Sequence, residues 1–347
     1  MRAISHVLIL CLSMALLACA TPPETPSSGG PLGDLVVSRG AISLPLIPHD
    51  NGLLVIEATY PEGSRGHYVL DTGATRSAIF KRTQKRLGLA DEISRTVRVY
   101  GMFKSGVRAL TIIPSLKLGQ KRFENELVAV LDDPDDMAET IQKYDGLIGM
   151  DILSRYRVFV DNDAERVTFL PLSMGAISVP PSWRVIQLTA NPFLEEDRLL
   201  HFMQIRVGDR ATQALLDTGS EYSMINWNTA RIPQLRRLRK RLRDAWELAG
   251  AIGAFEPISR VRVERFRAGQ KYWDSHDFIV LDFETLTVLG IQDQPFVIAG
   301  ADLLAKDSYL MDFENNEIRM APSEGESRLR DVERLKPDFN LTVKPAG

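Results

Sequence analysis

Tyr68-Val69-Leu70-Asp71-Thr72-Gly73 and Ala214-Leu215-Leu216-Asp217-Thr218-Gly219 place one triplet, Asp-Thr-Gly, behind a short apolar run at two points 146 residues apart. Each triplet leads into a small residue, Ala74 or Ser220. A second apolar stretch follows, Ser77-Ala78-Ile79-Phe80 or Ser223-Met224-Ile225. An apolar run that stops at Asp and Gly reads as a buried strand ending in a tight loop. One such triplet arises easily by chance. Two in matched frames indicate an internal duplication.

The repeat extends downstream. Leu147-Ile148-Gly149-Met150-Asp151-Ile152-Leu153 puts Asp151 80 residues after Asp71, and Ile298-Ala299-Gly300-Ala301-Asp302-Leu303-Leu304 puts Asp302 85 residues after Asp217. From these points the segments align for 25 residues without a gap. Gly149, Asp151, Leu153, Asp161 and Pro171 match Gly300, Asp302, Leu304, Asp312 and Pro322. Each then reads as two strands around a polar turn, at Asn162-Asp163 and at Asn315-Asn316.

Paired acidic loops suggest a shared chemistry. Two carboxylates at short range cannot both ionise easily, so they share a proton. One then serves as a general base on water while the protonated partner polarises a carbonyl. The constellation resembles the aspartic peptidases, in the bilobal pepsin-like form or as two fused retropepsin-like halves. The resemblance spans residues 36–322, with the detailed matches confined to the motif segments. It implies an all-β, bilobal, aspartic-protease-like β-barrel fold with the active site between two related lobes. It implies that Asp71 and Asp217 are the catalytic pair. Thr72 and Thr218 match positions whose side chains cross-bond the two loops, and Gly73 and Gly219 match the loop-support glycines. The apolar-apolar-Gly elements match the segment that crosses behind each loop.

The family covers its substrate with a Gly-rich hairpin, and two segments resemble such flaps. Val99-Tyr100-Gly101-Met102-Phe103-Lys104-Ser105-Gly106 follows the first motif, with Tyr100 and Gly101 as flap candidates. Leu248-Ala249-Gly250-Ala251-Ile252-Gly253-Ala254-Phe255 follows the second, with Gly250 and Gly253. Two flaps would be a retropepsin trait. Tyr100 is read equally well as an edge-strand residue.

The remaining pattern is mostly β. Strands are expected at Leu53-Leu54-Val55-Ile56, Arg98-Val99-Tyr100, Leu110-Thr111-Ile112-Ile113 and Leu127-Val128-Ala129-Val130. The second half repeats them at Phe202-Met203-Gln204-Ile205, Val261-Arg262-Val263 and Phe278-Ile279-Val280-Leu281. Gly119-Gln120 and Gly269-Gln270 mark equivalent turns, and Gly208-Asp209-Arg210 another. Pro180-Pro181 breaks a joining segment at 176–195. Arg231 to Trp246 carries Leu235, Leu238, Leu242 and Trp246 at helical spacing, which predicts an amphipathic helix with a basic face.

The ends read differently. Arg2, the apolar stretch Val7 to Leu17 and Leu16-Leu17-Ala18-Cys19 resemble a bacterial lipoprotein signal, with Cys19 lipidated. Residues 20–35 follow as a Pro/Ser/Gly-rich tether. Ala20 after the Cys favours outer-membrane sorting. This gives a periplasm-facing protein held at the bacterial envelope through Cys19. With Cys11 and Cys19 the only cysteines, the mature domain is expected to hold no disulfide. A net charge of −3 gives no nucleic-acid preference. The five His residues have no zinc spacing, and Asp132-Asp133-Pro134-Asp135-Asp136 does not match a calcium loop, so neither metal nor cofactor is expected.

The expected organisation is signal 1–19, tether 20–35, lobes 36–175 and 176–322, and a polar tail 323–347. The leading reading is an envelope aspartic endopeptidase acting on protein or peptide. One chain supplies both carboxylates, so a monomer suffices. The rival is a non-catalytic envelope lipoprotein that binds a peptide or protein partner in the same cleft.

Changing Cys19 to Ser is expected to abolish fatty-acid labelling and release the protein from membranes. Metabolic labelling and fractionation check this, and unchanged labelling would remove the lipoprotein reading.

Overall fold

The apolar run before Asp71 ends the strand Arg65–Leu70, and the run before Asp217 ends the strand Arg210–Leu216. Side chains alternate faces along a strand. Tyr68 and Leu70 therefore point into the main core while Val69 joins a second apolar cluster on the opposite face. Ala214 and Leu216 do the same in the second half, with Leu215 packed on the opposite side. The structure is a computed structural model describing residues 40–323 apart from 50–51, 92–94, 101–104, 134–142, 176, 192–198, 208–209, 231–238, 242–247, 250–253, 256–258, 283–285 and 288–289.

Each half closes into a six-stranded barrel, and the two barrels have one topology. In the first, Val55–Thr59 pairs with Arg65–Leu70, then follow Gly146–Ile148, Ala78–Phe80, Lys121–Leu131 and Ser105–Leu118. The last returns to the first at Thr59 opposite Lys117. In the second, the order is His201–Val207, Arg210–Leu216, Phe296–Ala299, Met224–Ile225, Lys271–Val280 and Ser259–Ala268. Closure falls at Ile205 opposite Ala268. Closing each sheet leaves its central strands without free edges. Among the described residues strands predominate and helices are few and short, so the fold is all-β and bilobal.

Two long hairpins shape the barrels as their turn residues predict. Leu118 faces Lys121 and Ala268 faces Lys271, so each turn has two residues. Gly119 at φ 56° and Gly269 at φ 53° occupy the first turn position, which only glycine takes without strain.

A six-stranded antiparallel layer joins the lobes. Its order is Ile42–Pro45, Arg166–Pro171, Tyr156–Asp161, Tyr309–Asp312, Glu317–Met320 and Arg184–Ala190. The hairpins predicted around the two polar turns meet at its centre, where Phe159 lies opposite Leu310. The joining segment therefore carries a strand, Arg184–Ala190, beyond the irregular stretch around Pro180-Pro181.

The predicted helix at 231–246 is corrected at 239–241. Arg239–Arg241 is a strand lying antiparallel to Ser259–Val261. The long second-lobe hairpin presents a sheet edge there, and backbone pairing to it overrides the helical spacing of the leucines. The rest of that segment falls outside the described residues.

A buried ion pair crosses between the lobes in this layer. Arg157, 3% exposed, places Nε 2.7 Å from Asp312 Oδ2 and also meets Glu314. Removing one partner of a buried pair leaves an uncompensated charge. Asp312→Ala is expected to lower stability by about 3 kcal/mol in urea unfolding. An unchanged midpoint would show that the pair does not hold the lobes together.

Candidate active site

Asp71 and Asp217 extend from the ends of their two strands toward one another. Parallel pairing with Gly146–Ile148 and Phe296–Ala299 fixes where each strand stops, at Leu70 opposite Ile148 and Leu216 opposite Ala299. The next residue continues the ladder by one bond. Asp71 N–H donates to Ile148 O at 2.9 Å, and Asp217 N–H to Ala299 O at 3.0 Å. The chain then turns.

The two turns are tied by their threonines, both fully buried. Thr72 Oγ1 donates to Leu216 O at 2.9 Å and accepts from Thr218 N at 3.0 Å. Thr218 Oγ1 donates to Leu70 O at 2.7 Å and accepts from Thr72 N at 3.1 Å. Each hydroxyl thus uses its donor and an acceptor on the opposite lobe. These are the positions that the resemblance marks as cross-bonding.

The glycines make the approach possible. A Cβ on Gly73 would stand 2.5 Å from Asp217 Oδ1, and one on Gly219 would stand 2.5 Å from Asp71 Oδ1. Neither position tolerates a side chain. Within each loop, Gly73 N–H donates to Asp71 Oδ1 at 2.8 Å and Gly219 N–H to Asp217 Oδ1 at 3.1 Å. Ser220 N–H adds a third such bond at 3.0 Å.

A duplicated brace lies behind each loop. Asp151 Oδ1 accepts from Ser77 N at 2.9 Å and Ser77 Oγ at 2.7 Å, and Ser77 Oγ accepts from Gly149 N at 3.0 Å. Asp302 Oδ1, Ser223 and Gly300 repeat this at 2.9, 2.6 and 2.9 Å. Met150 N–H reaches Ala74 O and Ala301 N–H reaches Ser220 O, both at 2.8 Å. Gly149 and Gly300 have no room for a Cβ, which would meet the backbone carbons of Arg76 and Tyr222 at 2.6 Å. The sequence reading named these glycines but gave the serines and downstream aspartates no role. The signal was present, since Ser77 and Ser223 each lie six residues after their Asp.

The other predicted site residues are placed less completely. Thr96–Tyr100 pairs antiparallel with the start of Ser105–Leu118, Tyr100 facing Ser105, so Tyr100 ends one arm of a hairpin. Leu248–Ala249 pairs with Ala254–Phe255 as a second hairpin. The flap candidates Gly101, Gly250 and Gly253 lie outside the described residues, as does Cys19. Asp132 and Asp133 are exposed and carry surface ion pairs. Asp132 Oδ1 lies 2.5 Å from Lys81 Nζ and Asp133 Oδ1 3.3 Å from Arg82 Nη1. No helix among the described residues is long and apolar enough to cross a membrane.

Electrostatics follow from the geometry. Burial and then the facing Asp217 charge push the Asp71 carboxyl well above the ordinary range. Burial pushes Asp217 up to about 6, opposed by hydrogen bonds from Ser220 and Gly219 and by one from Asp71. Both carboxyls are thus held above the ordinary range, and the pair shares a proton. The two titrate as one unit.

A family model described as aspartyl protease matches the chain twice, over residues 56–152 and 203–302. Each match takes in one Asp-Thr-Gly loop and its downstream brace. No curated protein matches the chain.

A carboxyl whose folded-state pKa is raised stabilises the fold below its unfolded value and loses that contribution as pH rises through the folded one. For Asp217 the loss runs from about pH 4 to about 6, and for Asp71 it continues above. Asp217→Asn removes the like-charge conflict. Thermal unfolding across pH is expected to show a flatter profile for this variant. It should exceed wild type at neutral pH by on the order of 3 kcal/mol. A variant less stable than wild type at pH 7 would contradict the reading of the pair.

Proposed function

The chain belongs to the aspartyl protease family, and we propose that it is an endopeptidase whose single active site is shared by Asp71 and Asp217. The observation that carries this is the reciprocal Thr72–Thr218 bonding, which presents the two carboxylates to each other across the lobe boundary. Protein or peptide is the substrate class that the family implies.

Asp217, the less basic member, is the general base. It takes a proton from a water held between the carboxyls while the water oxygen bonds to the scissile carbonyl carbon. Asp71 donates its proton to the carbonyl oxygen. The tetrahedral diol then collapses. The C–N bond breaks, the amine leaves with the proton held by Asp217, and a diol proton returns to Asp71. The sum is addition of one water across one amide bond, with both carboxyls restored.

Glycine at 73 and 219 lets the carboxylates come this close without intervening side chains. The braces hold both loops from behind, so the orientation exists before substrate arrives. The two hairpins at Thr96–Tyr100 and Leu248–Ala249 are read as covers for the bound peptide, which would exclude water during the reaction. The lipobox-like Leu16-Leu17-Ala18-Cys19 and the tether at 20–35 support placing this peptidase at the bacterial envelope, facing the periplasm.

Asp71→Asn and Asp217→Asn are each expected to lower kcat/KM on a cleaved peptide by about 10²–10⁴-fold. The double variant should lose little more, because the pair acts as one unit. The wild-type profile should be bell-shaped and acid-shifted. A purified soluble domain offered an unbiased peptide library supplies the substrate. Near wild-type cleavage by Asp217→Asn would exclude a shared site.

A further inference from the structure

The two braces are the same in their first layer and different in the next. Seven residues after the hairpin glycines Gly119 and Gly269 stand Glu126 and His276. In the first lobe, Arg155 holds Glu126 through two bonds of 2.9 and 3.1 Å, and its Nε donates to Asp151 O at 2.7 Å. In that lobe a permanent cation, Arg155, ties Glu126 to the Asp151 backbone. The matching position in the second lobe is Lys306, which is exposed. There, His276 Nε2 lies 3.1 Å from Asp302 Oδ2 instead. The other oxygen of Asp302 is the one that holds Ser223.

The path to the active site is short. His276 meets Asp302, and Asp302 holds Ser223 N–H and O–H. Ser223 Oγ accepts from Gly300 N–H, and the adjacent Ala301 N–H holds Ser220 O. Ser220 N–H in turn donates to Asp217 Oδ1. A charged imidazole makes a stronger bond to Asp302 than a neutral one. Imidazole is the side chain that changes charge in the range where such a switch is useful.

The surroundings leave Asp302 as the partner. His276 is 14% exposed at its side chain. On its own strand the neighbouring aromatic is Phe278, edge-to-face at 5.0 Å. On the facing strand Val263 lies opposite, flanked by Arg262 and Glu264. Arg262 is engaged with Ser275 at 2.8 Å and approaches Asp277 at 3.9 Å, and Glu264 lies opposite Ser275. The short helix Ala301–Leu304 contributes Asp302.

We propose that His276 is a positioning residue for the proposed peptidase reaction, its imidazolium pairing with Asp302 to steady the loop that presents Asp217. This rests on the shared-site reading above. Protonation tightens the second-lobe brace, so the loop is best ordered under acidic conditions. The first lobe, with Glu126 in place of the imidazole and Arg155 holding it, does not respond.

Two measurements on the intact folded domain test this. In the first, amide protection factors of Ser223 and Gly300 are followed by NMR while the His276 ring is titrated. Protection is expected to fall as His276 loses its proton in wild type and to show no such step in His276→Gln. Protection of Ser77 and Gly149 should show no step in either protein. In the second, kcat/KM is compared across pH. His276→Gln is expected to be about threefold to tenfold slower than wild type near pH 5, the ratio approaching one near pH 8. Arg155→Gln, the control, should give a ratio independent of pH. Ser223 and Gly300 protection that ignores the His276 titration overturns the proposal. So does a flat wild-type to His276→Gln ratio. Protein that shows the protection step but cleaves no peptide would instead overturn the peptidase reading, leaving the loop linkage supported.

Discussion

Four hydrogen bonds between Thr72 and Thr218 and the opposing backbone set what the rest of the molecule can do. Each threonine reaches across the lobe boundary to the carbonyl that precedes the other lobe's aspartate. That constraint fixes the two loops in one relative position, and the carboxylates face one another because of it. Everything outside the loops serves that placement. Parallel pairing stops the strands at Leu70 and Leu216, the braces at Asp151 and Asp302 hold the loops from behind, and the six-stranded layer keeps the lobes in register.

The arrangement opposes stability at its centre. Two acids brought together away from water disfavour each other's charge, and each is raised above its ordinary pKa. Wherever both would ionise, the fold loses stability for the sake of a shared proton. Apolar packing in two barrels and the buried Arg157–Asp312 pair offset this. The loops accommodate the close approach because Gly73, Gly149, Gly219 and Gly300 lack a Cβ where one would collide.

Much of this was legible in the sequence because the site is made by local motifs used twice. Asp71-Thr72-Gly73 and Gly149-Met150-Asp151 are short segments whose residue types are dictated by turn geometry and close approach. Duplication then supplied the pairing that a single motif cannot. What escaped depends on partners distant in the chain. Nothing within Arg184–Ala190 says that it completes a layer with Glu317–Met320. The leucine spacing before 239 fits a helix by itself, and only the edge at Ser259–Val261 makes a strand of Arg239–Arg241. The serine braces were in view as letters at a fixed offset, but a hydroxyl's role follows from which carboxylate reaches it. His276 differs from Glu126 at an equivalent position, and that difference acquires meaning only when Asp302 is seen beside it.

The central claim is that Asp71 and Asp217 are one proton-sharing unit within a single chain. Carbon-13 NMR titration of the aspartate side-chain carboxyls in wild type and in Asp71→Asn tests it directly. Two separated steps shared by both carboxyls are predicted, with the Asp217 step moving when Asp71 is replaced. Independent titration of both groups at ordinary carboxylate pKa, with Asp217 indifferent to the loss of Asp71, would contradict it.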